Sequence, residues 1–302
     1  MSAPAYPLHT SGFLVHVKVG QHRDDQYFYL DKGSSLLWIH CLPDSLNAKN
    51  PVYDSRNSST YKAKDCTSHF CDAYYLKCDM FHRCQYDQRY AKGMKTKGHL
   101  AQETFVFGGI DSSLFGKDEV ILNGIVFGCS NATQLLSDGI LGFCYNTYSL
   151  LDQNSSTKFS YCLGDIIDTC HDYSRLIIDK PIKEHLTHEI PLIVDGKYYV
   201  DMIAIQIGHV ILDIEIGILK RNTTEHKGGM AVDTVSTFSF FPEVVYNLFV
   251  VAIKKLIDDL SLDRYYHKPS MLCYKGSFRR DLTEFLIVRL WFGKKSLYRV
   301  SD

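Results

Sequence analysis

Apolar residues in this chain fall in short alternating runs separated by Gly, Asn, Asp or Pro, the period-two pattern of strands buried on one face. Phe13-Leu-Val-His-Val-Lys-Val and Tyr27-Phe-Tyr-Leu flank the turn-like Gly20-Gln-His-Arg-Asp-Asp, which predicts a hairpin. Gly124-Ile-Val-Phe-Gly and Gly139-Ile-Leu-Gly read as brief apolar strands with glycine at their edges, and the run from Tyr198 to Ile214 as two more, turning near Gly208-His209. One segment has the helical period. Between Pro242 and Leu260, Val245, Leu248, Ala252, Leu256 and Leu260 recur at spacings of three to four, with Lys254, Lys255, Asp258 and Asp259 off that face. It reads as a surface helix packed on a sheet. The pattern predicts an all-β protein with a few short helices.

At 302 residues the chain is long enough for two domains or one large one. A composition of 45% hydrophobic and 22% charged residues excludes a disordered chain. A folded chain of this size buries about three quarters of its unfolded surface, so no cofactor is needed to hold it together. The balance of 33 Lys+Arg against 34 Asp+Glu argues against a nucleic-acid partner, which requires a clustered basic surface. The most apolar stretch, Met202 to Leu219, is interrupted by Gln206, His209, Asp213 and Glu215, so no membrane span is expected. Ten cysteines and four Asn-x-Ser/Thr triplets, at Asn57, Asn131, Asn154 and Asn222, favour a disulfide-bonded glycoprotein of the secretory pathway. The first ten residues carry no basic and no apolar region, so no signal peptide is visible.

The polar stretch from Asp165 to Glu189 reads as a connection, dividing the chain into lobes at 1–165 and 190–302 with a link at 166–189. An internal echo supports the division. Tyr29-Leu-Asp31-Lys-Gly-Ser-Ser and Ala231-Val-Asp233-Thr-Val-Ser-Thr each place an Asp after an apolar strand and before a turn rich in hydroxyls. By spacing alone the plainer reading is two turn-initiating aspartates. The other reading is an acid–base dyad, in which two carboxylates share one proton, one activating water and the other protonating a carbonyl.

Further motifs carry a resemblance. Asp31-Lys-Gly-Ser-Ser-Leu-Leu-Trp38 is similar to the Asp-Thr-Gly-Ser-Ser-x-Leu-Trp loop of pepsin-like aspartic proteases (peptidase family A1), and the chain most resembles their plant nepenthesin-type branch. Cys84-Gln-Tyr-Asp-Gln-Arg-Tyr90 resembles the family's flap; Val126-Phe-Gly-Cys129, Asp138-Gly-Ile-Leu-Gly142, Lys158-Phe-Ser-Tyr-Cys162 and Lys227-Gly-Gly-Met-Ala-Val-Asp233 are further matches. The resemblance implies a bilobal β fold, a monomer, with an extended polypeptide substrate or peptide ligand in the inter-lobe cleft and with neither metal nor cofactor. It implies Asp31 and Asp233 as the catalytic pair, with Gly33, Ser34 and Ser236 in the loops that support them. Ser34 would donate to Asp31, and Tyr90 would be the flap tyrosine, hydrogen-bonded to Trp38.

Three departures fall in the chemistry. Lys32 stands where the family has a Thr whose hydroxyl helps tie the two loops together, and an ammonium has donors only. Turned inward, Lys32 would bring a cation beside the pair and favour two ionised carboxylates; turned outward, it would reach solvent. Val235 replaces a Gly whose backbone freedom a β-branched residue lacks. The family's second lobe also continues beyond a segment like Leu286–Phe292, so this chain's second lobe is expected to be incomplete. The expected function is therefore an aspartic-type endopeptidase of reduced efficiency, or alternatively an inactive homologue that binds peptides or proteins, as an enzyme inhibitor does. A chain with no stable fold is a third possibility.

Cys66, Cys71, Cys78 and Cys84, with Cys41, resemble the family's cysteine-rich insertion, but the cysteines that usually follow Cys41 are replaced near Asp44 and Asn47. The resemblance thus leaves Cys41 and Cys273 without their usual partners. A zinc site at the cluster, with His69 or His82, is the alternative to disulfides; the spacings lack the Cys-x2-Cys pairs of zinc sites and favour disulfides. His185-Leu-Thr-His188 reads as a polar loop rather than a metal site.

Overall fold

The predicted hairpin organises the first half of the chain. Gly12–Val19 pairs antiparallel with Asp24–Asp31, running from Leu14 opposite Tyr29 to Val19 opposite Asp24. These observations come from a computed structural model that describes residues 2–8, 12–41, 52–73, 75–90, 95–108, 119–133, 139–164, 174–179, 190–234, 239–258, 262–265, 273–277, 280, 287–292 and 296–300. The chain divides into two units, Met1–His185 with Val232–Thr237, and Leu186–Ala231 with Phe238–Asp302. The loop carrying Asp233 therefore belongs with the first unit.

Among the described residues of that unit, eleven strands make one sheet. Asp24–Asp31 lies between Gly12–Val19 and Gly139–Gly142, and Trp38–His40 lies between Gly139–Gly142 and Val120–Thr133. Alternation along the strands fills two cores, one on each face. Leu37 and Ile39 join Val15, Phe28, Leu30, Phe127 and Leu141 on one side, while Leu36 and Trp38 join Tyr86, Leu100 and Ile140 on the other.

Three differences from the sequence reading have physical causes. The apolar stretch at Gly124–Gly128 is part of a longer strand, Val120–Thr133. Gly124, at φ 72°, sits where the register against Lys95–Phe107 shifts between Glu103 and Phe105, so this glycine marks a bulge rather than a strand end. Within the polar stretch at 166–189, Arg175–Ile178 forms a strand with Leu176 and Ile178 buried in the core. Ser2–Leu8, which contains two prolines, is also a strand. Its first half pairs with Arg175–Ile178 and its second with Gly12–Val19, so each half has its own partner strand.

The second unit holds smaller sheets. Leu192–Val194, Tyr198–Val200 and Met230–Ala231 form one, and Val210–Ile211, Ala204–Ile207, Val288–Phe292 and Ser296–Val300 another. The turn at Gly208-His209 is where the sequence places it, but the run from Tyr198 is split between these two sheets. The helix spans Glu243–Asp258 and buries Val245, Ala252 and Ile257. Among the described residues no helix is long and apolar enough to cross a membrane.

Candidate active site

Asp31 is the last residue of a strand held on both sides, and its loop is fixed by main-chain bonds. The Phe143 N–H donates to Asp31 O at 2.8 Å, and the Cys144 N–H to Ser34 O at 2.9 Å. Asp31 pairs in parallel with Gly142, where a Cβ would come within 2.4 Å of the Ser35 carbonyl carbon; only glycine lets the two chains pass so closely. The Asp31 carboxylate accepts from the Gly33 N–H at 2.7 Å and from the Ser34 hydroxyl at 2.5 Å. Hydrogen bonds to the charged form are what a buried carboxylate, 6% exposed, requires to stay ionised.

The second loop meets the first at Gly33. A Cβ built there would lie 3.1 Å from Asp31 Oδ1 and 3.5 Å from Asp233 Oδ2, so the two carboxylates flank one point, although Asp233 itself is exposed. Thr234 makes the link. Its hydroxyl donates to Leu30 O at 2.6 Å and accepts from the Lys32 N–H at 3.3 Å. Beside this pair, Trp38 Nε1 donates to the Tyr90 hydroxyl at 2.8 Å. Burial raises the Tyr90 hydroxyl well above the usual phenol range, and the Asp31 charge adds to that, so Tyr90 is a neutral phenol at acidic and neutral pH. Ser236 and Val235 lie outside the described residues.

Of the two orientations open to Lys32, the structure takes the inward one. Lys32 is 3% exposed, its ammonium donates to the Tyr161 hydroxyl, and it lies 4.2 Å from the centre of the Tyr161 ring. Burial lowers its pKa to about 8, and the charge of Asp233 works in the opposite direction. Lys32 is therefore a cation at any acidic pH, held by the phenol and π face of Tyr161 and within electrostatic reach of Asp233. Sequence reasoning singled out neither Tyr161 nor Thr234. Thr234 had a signal, since it directly follows the aspartate and is the one hydroxyl placed to mirror the missing Thr at 32. Tyr161 had none, because it meets Lys32 across 129 residues.

The cysteines also correct an expectation. Cys41 has a partner: it is bonded to Cys129, 88 residues away on the neighbouring strand. Cys66 pairs with Cys78, and Cys71 with Cys84. Cys273 makes no disulfide among the described residues, while Asp44, Asn47, His185 and His188 lie outside them.

Comparison with known proteins fits this geometry. A family model described as xylanase inhibitor N-terminal matches residues 13–175, and one described as xylanase inhibitor C-terminal matches residues 197–300. Aspartic proteinase nepenthesin-1 of Nepenthes gracilis is 26% identical over 247 residues, covering 78% of this chain and 54% of its own length. Aspartyl protease UND of Arabidopsis thaliana is 30% identical over 274 residues, covering 87% and 64%. The chain thus spans between about half and two thirds of the length of these relatives. Among solved structures, one titled edgp superposes with a TM-score of 0.75 at 15% identity, covering 100% of this chain and 82% of the other. Basic 7S globulin from soybean follows at 0.73 and 16%, covering 99% and 80%. The chain belongs to the plant pepsin-like (A1) family, which these aspartic proteinases and the xylanase-inhibitor family models together delimit.

Proposed function

We propose that this chain binds an extended polypeptide at the Asp31–Asp233 pair and hydrolyses it poorly or not at all. The observation that carries this reading is the buried Lys32, next to Asp31 in the chain, whose ammonium is held on Tyr161 and feels the charge of Asp233. Aspartic-protease chemistry needs one proton shared between two carboxylates, so that one acts as base and the other as acid. A fixed cation whose charge reaches Asp233 favours the ionised form of that carboxylate, which keeps the base and removes the acid. Asp31, Ser34, Gly33, Trp38 and Tyr90 retain an arrangement able to hold a carboxylate and cover a bound backbone.

The second reading is a working aspartic-type endopeptidase. It is favoured by the intact bonds to Asp31 and by the Thr234 link between the loops. Denatured casein or haemoglobin incubated with the chain at acid pH, with and without pepstatin, distinguishes the two. The first reading expects no pepstatin-sensitive cleavage by the native chain, but retention of the chain on immobilised pepstatin. Lys32→Thr should then gain cleavage that Asp31→Asn removes again. Rapid cleavage by the unaltered chain would overturn it.

The same reading places the protein in the secretory pathway. Three disulfides among the described residues and the exposure of Asn57, Asn131 and Asn222, three of the four Asn-x-Ser/Thr sites, support that placement.

A further inference from the structure

We infer that Asn131 carries an N-linked glycan and that the first sugar of this glycan rests in the cavity beside it. The inference rests on the secretory-pathway placement above, where such sugars are added. Asn131 opens the triplet Asn131-Ala132-Thr133 at the end of the strand Val120–Thr133. On the facing strand Gly98 pairs with Ser130 and Lys97 with Ala132, so Asn131 is the extra residue of a bulge. Its neighbour Ser130 is buried, while Asn131 is exposed. Of the four triplet asparagines, it is the one whose side chain makes no hydrogen bond among the described residues. The Asn57 amide donates to Asp54 Oδ2 at 3.1 Å and the Asn154 amide to Ser156 Oγ at 2.7 Å. Asn222 Oδ1 accepts from the Thr224 and Glu225 N–H groups.

Asn131 lines a cavity of about 160 Å³, together with Ser55, Arg56, Tyr61, Ala63 and Arg83. The Cys41–Cys129 disulfide is part of the same wall and fixes it. The lining holds two guanidinium groups and no carboxylate, yet it does not call for an anion. Arg56 Nε and Nη2 each donate to Asp54 at 2.8 Å, and Arg83 Nε donates to Asp79 Oδ2 at 2.7 Å. Each cation thus has a counter-charge outside the cavity. Arg56 Nη1 and the two Nη groups of Arg83 keep their hydrogen-bonding capacity, since none has a partner among the described residues. Charge-balanced donors suit a neutral ligand rich in oxygen. The half-buried Tyr61 and exposed Ala63 add apolar surface for the C–H face of a ring. A sugar with hydroxyl and acetamido groups has both properties, and one linked to Asn131 is held at the cavity by its own bond, which removes most of the entropic cost of docking.

The modification balances without any oxidant or reductant. The donor is an oligosaccharide carried on a polyprenyl diphosphate. Asn131 Nδ2 forms a bond to the anomeric carbon while the bond from that carbon to the diphosphate oxygen breaks. The amide loses one proton and the polyprenyl diphosphate leaves. One N–H remains on the amide.

The test uses the full chain, sent through the secretory pathway of a eukaryotic host by an added cleavable signal, with Asn57→Gln, Asn154→Gln and Asn222→Gln in place. Peptide mass spectrometry should find sugar on Asn131 in most molecules. Trimming by an endoglycosidase that leaves only the first sugar should not lower Tm. Adding Asn131→Gln should lower it by about 2 °C. Arg56→Ala, a change at an exposed side chain, should erase most of that difference. A bare Asn131 in this chain would overturn the modification site. Equal Tm for the trimmed chain and the Asn131→Gln chain, or a difference untouched by Arg56→Ala, would overturn the seat in the cavity. Sugar on none of the four asparagines in protein isolated from its own tissue would instead overturn the secretory-pathway placement.

Discussion

The loop at Asp31 and the loop at Asp233 share a sequence design and differ in what surrounds them. Asp31 ends an eight-residue strand with a neighbour on each side, is 6% exposed, and has its carboxylate bonded to Gly33 and Ser34. Asp233 follows a strand of two residues, stands exposed, and is tied to the first loop through the hydroxyl of Thr234. A short motif thus specifies a turn, but strands brought from elsewhere decide whether its aspartate is buried or exposed. Lys32 sharpens the contrast. In the first loop it replaces the group that would answer Thr234, and it adds a buried charge to the better-supported half.

The largest expected effect tests the support of the first loop. Gly142→Ala would drive a Cβ to 2.4 Å from the Ser35 backbone, and we expect a loss of about 3 kcal/mol in urea unfolding, the upper range for overpacking. A loss below about 1 kcal/mol would mean that the brace is adjustable and the two loops are more alike than described.

Next comes Lys32→Met, with the opposite sign. The Lys32 pKa is about 8 in the folded chain against 10.5 for an unburied lysine, so between these values the unfolded state binds more protons and stability rises with pH. Below pH 8 the cost of burying the cation is fully present, roughly 2–3 kcal/mol. The substitution should therefore stabilise the fold by about 2 kcal/mol at pH 6, with the gap to the native chain closing from pH 8 to 10.5 in paired thermal melts. A gap independent of pH would show that the ammonium is solvated.

The smallest effect concerns the link. Thr234→Val leaves Leu30 O and the Lys32 N–H without that partner and should cost about 1 kcal/mol. The change should appear as faster hydrogen exchange at the Lys32 amide. Unchanged exchange there would mean that the Asp31 loop holds its shape without the second.

Much of this arrangement was legible in the residues. The hairpin from Gly12 to Asp31, the turn at Gly208-His209 and the helix from Glu243 are all written in local periodicity and turn chemistry. The likeness of Asp31–Trp38 to a known motif anticipated the Ser34–Asp31 bond and the Trp38–Tyr90 pair. What stayed hidden depends on distant partners. Neither the Cys41–Cys129 bond nor the Lys32–Tyr161 contact leaves a trace in local pattern, since each joins segments far apart in the chain. Arg175–Ile178 was hidden by the polar residues around a four-residue core strand, and Ser2–Leu8 by its two prolines.

The split pairing of Ser2–Leu8 also bears on how the chain is made. Ser2 finds its partner at Ile177, so the large sheet cannot close until about 175 further residues have followed Ser2 out of the ribosome. At ordinary rates of synthesis, about 5–20 residues per second, that is a wait of roughly 9–35 s. Through that interval Gly12–Val19 and Asp24–Asp31 can already form their hairpin, while the rim of the sheet stays open to any other extended segment nearby. The step most exposed to mispairing during biogenesis is therefore the late return of Arg175–Ile178 to a strand made long before it, not the formation of the aspartate loops.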